Sequence, residues 1–226
     1  MNLLALDTST EMATVALAVE GTIQSLEQNS VREHAKHLLP MIQTLLQTAN
    51  TSWAALDGIV FGSGPGSFTG LRIACSIAKA LAYTHSLPLF GVSSMDAIAH
   101  QTRMMLKSHA SSKGILAILD ARMQEVYWAY YPPGVKMATE IQVGSPHTVT
   151  VPENQPFVLA GWGLEAYQTQ WSEALCAGIT SQYSIAPNAH ALIELVQTGE
   201  ISATSAAKAL PLYVRDQVAH IGEKRG

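Results

Sequence analysis

A short apolar run closed by an aspartate, a turn and a second strand-like run occurs twice in this chain. Asn2–Leu6 ends at Asp7-Thr8-Ser9-Thr10 and is followed by Met12–Val19; Ile115–Leu119 ends at Asp120 and is followed by Val126–Tyr131. Apolar runs of this length bounded by turn residues read as strands, so each copy predicts a β-hairpin. The echo continues downstream. Ile59–Phe61 runs into Gly62 and a glycine loop, and Phe157–Ala160 runs into Gly161-Trp162-Gly163, each followed by a helix-like stretch. A repeated strand, turn, strand and helix order predicts an α/β protein built from two related halves.

The intervening pattern fills in the first half. Thr22–Gln28 predicts a third strand, and Leu38, Leu39, Ile42, Leu45, Leu46 and Ala49 fall on one face of a helix. Pro40 requires that helix to begin a few residues earlier, so that its missing N–H belongs to the unpaired first turn, and Asn50 predicts its end. Asp57–Gly62 reads as a strand leading into Gly62-Ser63-Gly64-Pro65-Gly66-Ser67-Phe68-Thr69-Gly70 and a helix over Phe68–Tyr83. Arg72, Ser76, Lys79 and Tyr83 form only a narrow polar stripe on that helix, so its wide apolar arc predicts contact on more than one side. Leu87–Val92 predicts a strand, after which Ser93 or Ser94 caps a helix carrying Met95 to Leu106. Ser108–Lys113 reads as a hinge, Pro132-Pro133-Gly134, Gly144-Ser145-Pro146 and the pair Pro152 and Pro156 as loops, and Ala189–Gln197 and Ala203–Leu210 as helices. The expected organisation is an N-terminal half over 1–108, a smaller half over 109–187, and helices and a tail over 188–226 that pack back on the first half.

Composition narrows the class of partner. Of 226 residues 48% are apolar and only 13% charged, which excludes intrinsic disorder and points either to a deep core or to surface covered by another protein. Thirteen basic against seventeen acidic residues leave a formal charge of −4, so the field of the molecule does not attract nucleic acid. RNA, if involved, is expected only through a partner that supplies positive surface. Cys75 and Cys176 lack metal or redox spacing and fit a reducing cytoplasm, and neither an export signal nor a membrane span is expected.

The candidate chemistry is ambiguous at the level of residues. A glycine turn between a strand and a helix is either a phosphate cradle or simply a tight, close-packed connection. This loop lacks the Lys and Ser or Thr of a P-loop and the third glycine of G-x-G-x-x-G, and Arg72 is its nearby cation. Asp7 and Asp120 stand where a phosphotransferase holds Mg²⁺ or orients a nucleophile, yet an Asp in a turn more often bonds its own backbone. His34 and His37 share a helix face without the Glu of H-E-x-x-H or a third ligand, and read as surface or interface histidines. No G-x-S-x-G occurs, which ranks a peptidase last.

Leu4-Ala5-Leu6-Asp7-Thr8-Ser9-Thr10, Glu33-His34 through Leu38-Leu39-Pro40, Gly64 to Ile73, Gly91-Val92-Ser93-Ser94, Asp120-Ala121-Arg122 with Glu125-Val126-Tyr127, and Pro211 to Arg215 together resemble the bacterial TsaB family, also called YeaZ. The resemblance covers nearly the whole chain and is looser between Pro132 and Pro187. It implies an actin-like ATPase (ASKHA) fold of two ribonuclease-H-like halves and a role in making threonylcarbamoyladenosine beside the anticodon of tRNAs that read codons starting with adenine. It implies a non-catalytic scaffold that binds and activates the catalytic paralogue TsaD, joined by the ATPase TsaE, with a homodimer when isolated. No cofactor is expected in this chain itself; ATP and a divalent metal are expected in the partner subunits. The H-x-x-x-H metal pair of TsaD is missing here, and Ser63 stands where members often carry Arg. Degenerate nucleotide-cleft loops are then expected at Asp7, Thr8, Ser9, Gly64, Gly66, Ser67, Gly70 and Asp120. A partner face is expected at His34, His37, Leu38, Met41, Ile42, Leu45, Arg72, Ser76 and Lys79. The competing function is a small-molecule kinase or ATPase of the same fold.

Overall fold

The computed structural model describes residues 1–29, 33–107, 113–138, 140–152 and 155–214. The apolar runs at the start form β1 (Leu3–Asp7), β2 (Met12–Val19) and β3 (Thr22–Asn29), a meander in which β1 pairs antiparallel with β2, and β2 with β3. Helix α1 (His34–Thr48) leads to β4 (Gly58–Gly64), which pairs parallel with β1. Helix α2 (Phe68–His85) then leads to β5 (Leu89–Ser93), which pairs parallel with β4. The sheet order is β3-β2-β1-β4-β5.

The second half repeats this plan. After α3 (Ser94–Leu106), β6 (Gly114–Arg122) pairs antiparallel with β7 (Glu125–Tyr131), and β7 with β8 (Gln142–Gly144). Strand β9 (Phe157–Trp162) lies parallel to β6, and β10 (Ile179–Ser184) parallel to β9, giving the order β10-β9-β6-β7-β8. Strand for strand, β6 takes the place of β1 and β9 that of β4, so the repeated aspartates sit at equivalent strand ends.

Alternation along β1 shows how the core is layered. Leu4 and Leu6 face α1 and α2, while Leu3 and Ala5 face α5 (Ala189–Gln197), which lies across the other side of the first sheet. In the second sheet Ile115, Ala117 and Leu119 pack on Met95, Ile98 and Ala99 of α3, and Leu116 and Ile118 pack beneath the 3₁₀ turn Leu164–Tyr167 and α4 (Glu173–Gly178). The helices carry their own stops and starts. Ser93 and Asn188 cap α3 and α5 with side-chain oxygens, and Asn50 beyond α1 and Ser86 beyond α2 take positive φ. No described helix is long and apolar enough to cross a membrane.

Three details depart from expectation. Pro40 lies well inside α1, past the first turn, so the helix forgoes one interior hydrogen bond there. Ala203–Leu210 is not a helix: Thr204 exchanges hydrogen bonds of 2.7 and 3.0 Å with Leu89, recruiting the segment to the sheet edge. The stretch after Gly163 forms only the 3₁₀ turn and the six-residue α4. The expected hinge, apart from Lys113, lies outside the described residues.

Candidate functional site

The two halves enclose a cleft of about 690 Å³ between the ends of β1 and β6. The glycine loop lies on one wall, with Gly66, Ser67 and Thr69 lining it, and Asp120, Ala121 and Arg122 lie on the other. The loop is packed face to face with the first hairpin turn. The Ser67 amide donates to Ser9 O at 2.7 Å, Thr8 Oγ1 donates to Gly70 O at 2.7 Å, and the Gly70 amide donates to Ser67 Oγ at 3.3 Å. A Cβ at Gly66 or Gly70 would collide with the backbone of Ser9 or Thr8, so the glycines serve close approach of two loops. Gly64 takes φ +111° and its peptide to Pro65 is cis. The amides of Ser67 and Gly70 are thus engaged within the protein, which is the tight-connection reading of the loop.

The repeated aspartates have different surroundings. Asp7 is fully buried; its Oδ1 accepts from the Ser9 amide at 3.0 Å and from Ser9 Oγ at 2.7 Å, while Oδ2 has no hydrogen-bond partner. Burial pushes its pKa up to about 6, against the lowering effect of the Ser9 hydrogen bonds. Asp120 Oδ1 accepts from the Arg122 amide at 2.7 Å and from the Tyr167 hydroxyl at 2.6 Å, and its Oδ2 meets Arg122 Nη1 at 3.1 Å. Burial and this hydrogen bond to Asp120 push the Tyr167 phenol up to about 12. Among the described residues no group of three or more His, Cys, Asp or Glu side chains is placed to hold a metal ion.

Glu11, Trp162, Tyr167 and Tyr213 were not singled out from the sequence as site residues. Glu11 belongs to the first half but bonds across the cleft, accepting from Arg122 Nη2 and, at 3.3 Å, from Trp162 Nε1. Burial pushes the Glu11 carboxyl up, but hydrogen bonds from its own amide, Arg122 and Trp162 outweigh this and hold it below the usual glutamate value. Leu212, Tyr213 and Val214 close one side of the cleft; the Leu212 amide donates to Ser63 O at 2.7 Å, and Arg72 Nε donates to the Tyr213 hydroxyl at 3.1 Å. A lone glutamate in a turn carries no spacing signal, so only the fold reveals its role.

The expected partner face needs correction. Ile42 and Leu45 are 1% and 3% exposed, and with Leu38 and Met41 they belong to the core formed on the first sheet. The apolar stripe of α1 therefore covers the chain's own sheet. His34 is buried too, whereas His37 sits 3.4 Å from Glu33. The outer face of α1 and α2 instead presents Leu39 (50% exposed), Phe68, half-buried Ile73 and Ile77, exposed Ser76 and Tyr83. Arg72 stacks on Phe68 with its guanidinium 3.7 Å from the ring centre, and Lys79 donates to Ala209 O at 3.0 Å.

A family model described as TsaD, tRNA N6-adenosine threonylcarbamoyltransferase, matches residues 26–223. A Haemophilus influenzae protein named tRNA threonylcarbamoyladenosine biosynthesis protein TsaB is 32% identical over 96% of this chain and 95% of its own length. The chain belongs to the TsaB family, also called YeaZ. The Escherichia coli protein of the same name is 42% identical over 58% of this chain, a match spanning about half (55%) of that relative. YeaZ from Pseudomonas aeruginosa superposes with a TM-score of 0.79 at 34% identity, covering 94% of this chain and 99% of that one. A second Pseudomonas aeruginosa structure, described as an uncharacterized protein with similarity to peptidase YeaZ, gives 0.82 at 35% identity over 95% and 99%. The two duplicated halves of this TsaB-family chain form the two-domain α/β fold of these YeaZ structures.

Proposed function

We propose that this chain works in tRNA threonylcarbamoyladenosine biosynthesis as a non-catalytic subunit that docks on a TsaD-type transferase and supports its reaction, with TsaE as the further partner. The observation that carries the proposal is the state of the glycine loop: the amides of Ser67 and Gly70 are bonded inside the protein and Asp7 is sealed behind Gly62, which supports a cleft without phosphoryl-transfer machinery. Docking is assigned to the outer face of α1 and α2, where Leu39, Ile73 and Ile77 leave apolar surface beside Arg72 and Ser76. The same face pairs with a second copy when the partner is withheld. RNA reaches the chain through the complex, because a formal charge of −4 gives it little affinity of its own.

Reconstitution tests this directly. Adding the chain to TsaD, TsaE, threonylcarbamoyl adenylate and unmodified tRNA should switch on modification, while the chain alone with MgATP should release no phosphate. Phosphate release by the purified chain, lost in Asp7→Ala, would instead establish the kinase or ATPase function.

A further inference from the structure

We propose that the cleft between the halves is a binding site for a planar aromatic ligand of nucleoside size that carries no phosphate. Its volume of about 690 Å³ lies within the range of small-molecule sites, roughly 300 to 1,000 Å³. Both halves supply aromatic walls, Phe68 and Tyr213 on one side and Tyr127 and Trp162 on the other. The indole of Trp162 is held in place by its hydrogen bond to Glu11, so one stacking surface is set before any ligand arrives.

Charge decides which aromatic compound fits. Among the described lining residues, Glu11, Asp120 and Glu165 are acidic and Arg122 is basic, and that guanidinium is shared between Glu11 and Asp120. Three carboxylates less one guanidinium leave two net negative charges facing the space. The Ser67 amide of the glycine loop is bonded to Ser9 O. A phosphate entering here meets two net negative charges while the Ser67 and Gly70 amides are already bonded, whereas ring amines and sugar hydroxyls meet carboxylate acceptors. Room is therefore available for a base and sugar, and the sign of the field disfavours a phosphate. The proposal concerns the isolated chain and goes beyond its partnership, so either can fail without the other.

Calorimetric titration of the full chain with adenosine, AMP, ADP and ATP tests it. Adenosine should bind one to one, and each added phosphate should weaken binding by at least about threefold at low salt. Glu11→Gln with Glu165→Gln should narrow the gap between adenosine and ATP, since it removes two charges and releases Arg122 from Glu11. Ala166→Phe, at an exposed position lining the cleft, should block adenosine while leaving the circular dichroism spectrum and melting temperature unchanged. Trp162→Ala should weaken adenosine in the same way. ATP binding as tightly as adenosine, no adenosine binding at millimolar concentration, or full binding by folded Ala166→Phe would each overturn the proposal.

Discussion

Asp7 and Asp120 occupy equivalent strand ends in the two halves, and each accepts a hydrogen bond from the amide two residues on, Ser9 at 3.0 Å and Arg122 at 2.7 Å. The turn is one device used twice, and its surroundings give the two carboxyls different roles. Asp7 faces inward against Gly62 with Oδ2 unpaired, while Asp120 opens on the cleft and anchors Arg122 and Tyr167. Duplication explains the position; burial and partners explain the chemistry.

Asp7 should make stability fall as pH rises. Its folded pKa, raised by burial from 3.8 to about 6, lies above the unfolded one, so its contribution is full below the unfolded value and is lost as pH rises through the folded value. Between about pH 4.5 and about pH 7.5 this amounts to about 2 kcal/mol. Asp96, also raised by burial, adds a slope of the same sign that persists in the variant. Urea unfolding at the two pH values should therefore show a smaller loss in Asp7→Asn than in the wild type. Equal losses would mean that Asp7 does not titrate in this window.

Gly62→Ala should destabilise by about 2 kcal/mol or more, because its Cβ would run into Asp7 Oδ2. The same Cβ lies 3.4 Å from Asp7 Cβ, an ordinary contact. Gly62→Ala combined with Asp7→Ala should consequently cost much less than the sum of the single changes, a coupling that a thermal-melt double-mutant cycle reads directly. Additive costs would place the strain elsewhere.

Tyr131→Phe should cost about 1 to 3 kcal/mol. The fully buried Tyr131 hydroxyl donates to Asp96 Oδ1 at 2.7 Å, and the Ala138 amide donates to the same oxygen at 2.9 Å, tying β7 and the following loop to α3. Chemical denaturation should register the loss, and amide exchange at Ala138 should quicken as its acceptor becomes less firmly held. Unchanged exchange at Ala138 would show that the loop is secured without Tyr131.

The hairpins, the order of elements in the first half, the cap at Ser93 and the stop at Asn50 were legible because strand period and turn chemistry are local. What failed depended on distant partners. An apolar stripe such as Leu38, Ile42 and Leu45 records that a helix face is covered but not by what, and here the cover is the chain's own sheet. The alanine-rich run Ala203–Leu210 has helix propensity, yet Leu89 offers Thr204 a bridge at the sheet edge, and Ala209 O takes the Lys79 ammonium. Of the cleft, Asp120, Ser67 and Gly66 were legible through the repeat and the loop. Glu11 and Trp162 were not, since they meet only when both halves are assembled.

The two faces of α1 should separate folding from partnership. Ile42 and Leu45 are packed on the first sheet, so Ile42→Asp or Leu45→Asp buries an uncompensated carboxylate and forfeits apolar contact, at a cost of about 3 to 5 kcal/mol. For a domain of ordinary stability that removes much of the folding free energy, and these variants should be insoluble or melt far below the wild type. Leu39, at the flank of that buried stripe, is 50% exposed, and Ile77 of α2 is half-buried. Leu39→Asp should change the chain's own stability by about 0.5 kcal/mol or less, and Ile77→Asp somewhat more. On the proposed docking surface the same carboxylates should enter a dry contact with a TsaD-type partner, where one buried charge should weaken binding by roughly 2 to 4 kcal/mol, about thirtyfold to a thousandfold in Kd. Thermal melts of the four variants beside size-exclusion chromatography with the partner distinguish the faces. Folded Leu39→Asp and Ile77→Asp chains that still co-elute with the partner and support tRNA modification would move the docking surface away from α1 and α2.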